Sequence, residues 1–185
     1  MYFGFQVIFC LLLIACTSTH KVVRQNANPL DTLVDHAINT SLNCLAKSVV
    51  EVKDTALYPT YGTKTLQWQL KSSDDWTSGF YPGCLWLAYE LSKHPQFRQW
   101  AINWTKGIER QKYNTKTHDL GFRFGCSFGN GLRLLPYDTA TARYKDILLT
   151  AANTMDKLFR LLSAATHPTG TLTPSPTLFR WSLIL

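Results

Sequence analysis

Apolar residues along the first half of the chain recur with helical spacing. Leu30, Leu33, Val34, Ala37, Ile38, Leu45, Val49 and Val50 keep one face of a helix over about residues 30–53. Pro29 stands at its start, where a fixed φ and a missing N–H are tolerated. Tyr58-Pro59-Thr60-Tyr61-Gly62 is a turn-rich break. A second helix is predicted from Pro82 to about Lys93. Cys84, Leu85, Trp86, Leu87, Ala88 and Tyr89 leave it apolar on every side, the pattern of a helix buried all round. Pro95 opens a third helix to about Lys112, with Phe97, Trp100, Ala101, Trp104 and Ile108 as its stripe. Lys106, Arg110 and Lys112 lie towards its C-terminus, where cations complement the helix dipole.

Residues 113–131 carry Gly121, Gly125, Gly129 and Gly131 and read as a loop, with a short helical segment near Leu132. A last helix is predicted over about 140–162. Tyr144, Ile147, Leu148, Ala151, Ala152, Met155, Leu158, Phe159 and Leu162 hold its period for five turns. No segment alternates as a strand, so the fold class expected is all-α. Apolar helices interleaved with amphipathic ones suit a two-layer ring, and an ordinary bundle gives a similar pattern.

The ends of the chain differ from this helical body. Val7 to Ala15 is an uninterrupted apolar run, too short to span a bilayer. It ends in Leu13-Ile14-Ala15-Cys16, which resembles a bacterial lipobox, although no Lys or Arg precedes the apolar run. The expected organisation is a lipoprotein-type signal peptide at 1–15, a lipid on Cys16, a polar tether at 16–28 and a helical domain at 29–162. An ordinary secretory signal and a short buried helix are the alternatives for the apolar run. Residues 163–185 are rich in Thr and Pro, carry no acid and end in Trp181-Ser182-Leu183-Ile184-Leu185.

Composition narrows the classes. An apolar content of 45% and six tryptophans exclude a disordered chain. The net charge of +7 is scattered, with no run of five basic residues and no nucleic-acid motif, so nucleic acid is not an expected partner. That charge permits an acidic substrate without requiring one. Outside the targeting segment, Cys44, Cys84 and Cys126 are widely spaced and lack metal-ligand spacing. They are expected to be buried free thiols, and no metal is expected.

Two segments carry the candidate chemistry. Asp75-Trp76-Thr77-Ser78-Gly79-Phe80-Tyr81-Pro82-Gly83 offers an indole before a tight entry into an apolar helix. His118-Asp119-Leu120-Gly121-Phe122 offers a carboxylate with an imidazole beside it. A carboxylate near an exposed aromatic plane is what a sugar-cleaving pocket needs. Spacing alone favours a humbler role for Asp119, an Asx-turn or a helix cap bonded to local N–H groups. Packing and surface exposure are the corresponding alternatives for Trp76 and His118.

Together the two segments resemble the unsaturated glucuronyl hydrolases, glycoside hydrolase family 88. Trp76, Thr77, Gly79, Phe80, Pro82 and Gly83 match the Trp-Thr-x-Gly-Phe-x-Pro-Gly segment, and residues 118–122 match the His-Asp-Leu-Gly-Phe segment. Ser127-Phe128-Gly129-Asn130-Gly131 fits as well, and the resemblance covers about residues 30–157. It implies an (α/α)6-barrel, a helical toroid with its pocket at one end of the ring. It implies action on oligosaccharides ending in a 4,5-unsaturated uronic acid, with no metal or organic cofactor. The reaction hydrates the vinyl ether: an aspartic acid protonates C4, water adds at C5, and the hemiketal rearranges to break the glycosidic bond. By this resemblance Asp119 is an active-site carboxylate, His118 contacts substrate, and Trp76 gives the sugar an apolar face.

The family also uses a second aspartate, in a downstream Asp-Asn-Met-Met-Asn type of segment that this sequence does not contain. The expectation is therefore about the N-terminal half of a ring, from a frameshifted or truncated gene, inactive or nearly so alone. The lipobox resemblance places it in a bacterial cell envelope, lipid-anchored through Cys16, periplasmic or on the outer surface. The rival readings are a glycan-binding lipoprotein without catalysis and another α/α-barrel enzyme, such as an unsaturated rhamnogalacturonyl hydrolase.

Overall fold

The computed structural model describes residues 28–65, 67–136 and 139–166. The expected signal peptide, Cys16, most of the expected tether, and residues 167–185 lie outside them. The chain divides into two compact units, 1–37 and 38–185. In the first, residues 28–37 are described. They are the beginning of helix α1 (Pro29–Val52), and all are exposed. The Asn28 side chain accepts the Leu30 N–H at 3.1 Å, so one orphan donor of the first turn is satisfied just where Pro29 starts the helix. The predicted stripe is exposed at Leu30, Leu33 and Val34.

The second unit holds the core. The C-terminal end of α1 buries Ser48, Val49 and Val52, and the Ser48 and Tyr81 hydroxyls share a buried hydrogen bond of 2.9 Å. A small antiparallel hairpin follows, β1 (Tyr58–Gly62) with β2 (Trp68–Lys71), irregular between Pro59 and Tyr61. No strand is predicted from the sequence, because β1 is short, contains Pro and Gly, and has no clean alternation. Tertiary bonds hold it instead. The fully buried Tyr58 donates its hydroxyl to the Trp104 carbonyl at 3.0 Å, and the Trp104 indole donates to the Leu57 carbonyl at 3.0 Å.

Helix α2 (Phe80–Ser92) ends on Lys93, whose φ of 56° lets its N–H cap the Tyr89 carbonyl. Helix α3 (Pro95–Ile108) starts on His94, whose Nδ1 accepts the Gln96 N–H at 3.2 Å. Phe97, Ala101, Trp104 and Ile108 bury the predicted stripe. A 3-10 turn (Glu109–Tyr113) then replaces the last predicted turn. α2 and α3 pack on each other, and the Trp86 indole donates to the Thr105 hydroxyl at 3.0 Å with both side chains fully buried. The expectation that α2 is buried all round is corrected. Cys84, Leu87 and Leu91 are exposed, because the described elements cover one side of it.

The glycine-rich stretch is the larger correction. Residues 120–134 form consecutive helical pieces: α4 (Leu120–Phe124), a π turn (Gly125–Gly129) and α5 (Asn130–Leu134). Gly125 and Gly129 both sit at φ −62°, ψ −47°, ordinary helical values. Leu120, Phe124, Phe128 and Gly131 face the core, so packing outweighs the low helix propensity of glycine. A Cβ on Gly131 would meet the Tyr144 ring at 2.6 Å and Trp86 at 3.0 Å, so its bare backbone permits that approach. Helix α6 (Thr139–Thr166) closes the core with Tyr144, Ile147, Leu148 and Ala151, while Ala152 is exposed. Phe124 stacks on Phe128 with centroids 5.6 Å apart, and Phe128 meets Tyr144 edge-on at 4.9 Å.

The cysteines are corrected too: Cys44 and Cys84 are exposed and Cys126 is half-buried, all as free thiols. Among the described residues no helix is long and apolar enough to cross a membrane, and no three His, Cys, Asp or Glu side chains are grouped to hold a metal ion.

Candidate functional site

The two motif segments meet in space. Gly79, just before α2, lies against α4. A Cβ there would overlap the Arg123 backbone and come within 2.7 Å of the Phe122 carbonyl oxygen. Glycine is thus the residue that lets the two segments touch. On the outer side of the contact the Trp76 and Phe80 rings meet edge-on at 5.8 Å, and Phe80 meets Phe122 at 6.1 Å. These rings are 50%, 38% and 53% exposed, far from the burial expected of packed aromatics. They form an open apolar ladder from the Trp76 turn to α4.

Asp119 stands at the head of α4, three residues before Phe122. Its carboxylate makes no capping bond to the helix. It accepts the Thr117 hydroxyl at 2.9 Å through Oδ2, and Oδ1 lies 3.4 Å from His118 Nε2. The Thr117 hydroxyl in turn accepts the Asp119 N–H at 3.1 Å. The Asp119 side chain is 19% exposed and His118 75% exposed. The carboxylate is thus bonded by the Thr117 hydroxyl and flanked by the His118 imidazole, and is not consumed by its own backbone. The cap reading of Asp119 therefore does not describe its bonds.

Asp75 shows the contrast. Its Oδ1 accepts the Thr77 N–H at 2.9 Å and the Thr77 hydroxyl at 2.6 Å, an Asx-type turn that shapes the backbone under Trp76. The neighbouring Asp74 carboxyl is held below its ordinary range, first by the Ser72 hydroxyl and then by the charges of Arg123 and Arg110. Beneath them Ser73, fully buried, accepts Arg110 Nε at 2.9 Å and Gln111 Nε2 at 3.0 Å. The Ser78 hydroxyl donates to the Ser73 carbonyl at 3.0 Å. The turn that presents Trp76 is thus tied to the 3-10 turn that follows α3.

The structure brings Trp76, His118 and Asp119 to one region, while Cys16 lies outside the described residues. Phe80, Phe122 and Arg123 join them. Phe80 and Phe122 stand within the matched motifs, but their exposure has no signal in the sequence. Arg123 lies one helical turn after Asp119, a relation hidden while the stretch reads as a loop.

A helical-barrel fold is the class to which this arrangement of helices belongs. No family model matches the chain. Over 83 residues it is 46% identical to an unsaturated glucuronyl hydrolase of Formosa agariphila, a match covering 45% of this chain and 20% of that protein. A crystal structure of an unsaturated glucuronyl hydrolase specific for heparin superposes with a TM-score of 0.61 at 29% identity, over 68% of this chain and 32% of that one. A mutant unsaturated glucuronyl hydrolase of Streptococcus agalactiae, complexed with dGlcA-GalNAc6S, superposes with a TM-score of 0.58 at 25% identity, over the same shares. The matched stretch spans about a fifth of the first relative's length and about a third of each solved chain. The chain is related to the unsaturated glucuronyl hydrolases, and its helices reproduce part of their (α/α)6-barrel.

Proposed function

We propose that the chain carries one wall of a glycosidase pocket that takes oligosaccharides ending in a 4,5-unsaturated uronic acid. The observation that carries the reading is the exposed Trp76–Phe80–Phe122 ladder, which ends one turn from the uncapped Asp119 carboxylate. Sugar rings present apolar C–H faces that stack on such rings, and a carboxylate at the edge handles protons. Asp119 is the reacting-site carboxylate, His118 the polar contact, and Trp76 the stacking face. The reaction implied by the family resemblance is hydration of the vinyl ether followed by loss of the glycosidic partner, and the relatives' names support a hydrolase acting on unsaturated glucuronyl ends. The crystal complex of the S. agalactiae relative with an unsaturated disaccharide supports this substrate class.

Calorimetric titration with a 4,5-unsaturated uronide disaccharide and with its saturated counterpart tests the reading. Saturable binding of the unsaturated sugar is expected, weakened about tenfold by Trp76→Ala, as for a central aromatic contact. Carrying one wall of the pocket, the chain alone is expected to show little or no turnover by the ultraviolet absorbance of the unsaturated bond, and any turnover seen must vanish in Asp119→Asn. Equal binding of both sugars, unaffected by Trp76→Ala, would overturn the reading.

The Leu13-Ile14-Ala15-Cys16 run supports a further part of the proposal, a lipid on Cys16 that places the protein in a bacterial cell envelope. Metabolic labelling with a fatty-acid analogue, lost in Cys16→Ser, is the expected outcome. Labelling unchanged by that substitution removes the anchor from the proposal.

A further inference from the structure

Arg123 is 1% exposed, which is rare for a guanidinium without a carboxylate bonded to it. Its Nη2 donates to the Asp74 backbone carbonyl, 49 residues away. Its Nε and Nη1 are buried and have no hydrogen-bond partner among the described residues. Burial disfavours its charge, and the surrounding Asp74, Asp119 and Asp75 carboxylates favour it, in that order of strength. The Arg123 backbone is held as firmly as its head. Its N–H donates to the Asp119 carbonyl at 3.3 Å, its own carbonyl accepts the Ser127 hydroxyl, and Gly79 lies against it.

One residue therefore touches both halves of the candidate site. The backbone belongs to the helix that Asp119 heads. The side chain crosses to the turn that presents Trp76. We propose that Arg123 is a positioning residue of the saccharide site: its guanidinium holds the Asp74–Gly79 turn, and with it the Trp76 ring, in register with the Asp119 helix. The assignment to a saccharide site rests on the function proposed above; the positioning itself rests on the contacts just given. Arg123 is too deeply buried to meet a sugar, so it acts through Trp76. The three carboxylates supply through-space attraction instead of direct bonds, so the Asp74 carbonyl is the one hydrogen bond from the Arg123 side chain to the turn, beside the Ser73 bonds to Arg110 and Gln111. Removing the guanidinium releases that contact and leaves those carboxylates without their buried counter-charge.

The test is a double-mutant cycle on the full chain with Arg123→Met, Trp76→Ala and the pair. Affinity for the unsaturated disaccharide is the first readout. The second needs no sugar: acrylamide quenching of Trp76 fluorescence, taken as the difference between each protein and its Trp76→Phe counterpart. Arg123→Met is expected to weaken binding about tenfold, within the usual range for coupled neighbours, and to change nothing further once Trp76 is Ala. It is also expected to alter Trp76 quenching while helical circular dichroism is kept. Parental affinity in Arg123→Met, or an undiminished loss in the Trp76→Ala background, overturns the proposal. If the parent binds no saccharide, the functional reading has failed, and quenching alone decides the positioning: unaltered Trp76 quenching overturns it. Should Arg123→Met not fold, Arg123→Lys takes its place, keeping the charge but losing the planar fork, and is judged by the same outcomes.

Discussion

Gly79→Ala sets two physical effects against each other. The Gly79 backbone has φ −73°, ψ −21°, a right-handed conformation that alanine adopts without strain. Judged on local structure, the change should stabilise by about 0.4–1 kcal/mol, since alanine has fewer unfolded conformations to lose. The packing says the opposite. The new Cβ would overlap the Arg123 backbone and press on the Phe122 carbonyl. Those are backbone atoms inside a helical piece, so no side chain can rotate away. Overpacking of this kind costs about 1–3 kcal/mol, and the clash is with main chain, which favours the upper half of that range. The net expectation is a loss of roughly 1–2.5 kcal/mol.

Gly125→Ala is the matched control. Its backbone is fully helical and a Cβ there meets nothing within 4 Å, so propensity acts alone and should stabilise by about 0.5–1 kcal/mol. Urea unfolding followed by circular dichroism separates the two. With a slope of about 1–3 kcal/mol per molar, Gly79→Ala should lower the midpoint and Gly125→Ala raise it. Saccharide affinity should fall with Gly79→Ala, because it splays the Trp76 turn from α4. A Gly79→Ala protein as stable as the parent would refute the claim that the two motif segments meet here.

Further outcomes follow from other contacts. Trp86→Phe removes the indole N–H bonded to the buried Thr105 hydroxyl and should cost about 1–3 kcal/mol by urea unfolding; Thr105→Val in the same protein should recover part of it. Glu109 is pushed up by burial, but bonds from Arg143 and Lys112 more than offset this and its carboxyl lies below the ordinary glutamate range. Its stabilising share is therefore full above the unfolded value and is lost as pH falls through the lower folded value. Glu109→Gln should flatten the stability profile over that acidic window, and an unchanged profile would discount the cluster. The half-buried Cys126 thiol is pushed up by burial, so it should alkylate more slowly in the native protein than in urea at pH 8.

How much of this was legible beforehand depends on the interaction involved. The stripes of α3 and α6 follow from periodicity, because burial at every third or fourth residue leaves a pattern in the chain itself. The helix over 120–134 was hidden by its glycines. Its core positions Leu120, Phe124, Phe128 and Gly131 do keep helical spacing, but one of them is a glycine and shows no apolar side chain. The hairpin was illegible because the bonds to Trp104 that hold Tyr58 and Leu57 in place span more than 40 residues.

The candidate site divides in the same way. Sequence named the candidates for the chemistry: the Trp76 and His118–Asp119 motifs are local strings, and their match to unsaturated glucuronyl hydrolases needs no coordinates. Only the tertiary structure decided that the two strings touch through Gly79, that Asp119 is spared capping, that the three aromatic rings stay open, and that a buried Arg123 bridges them. Each of those facts is set by atoms far apart in the chain. A string of residues records what each side chain is able to do; the distances that make it do so exist only once the chain has packed.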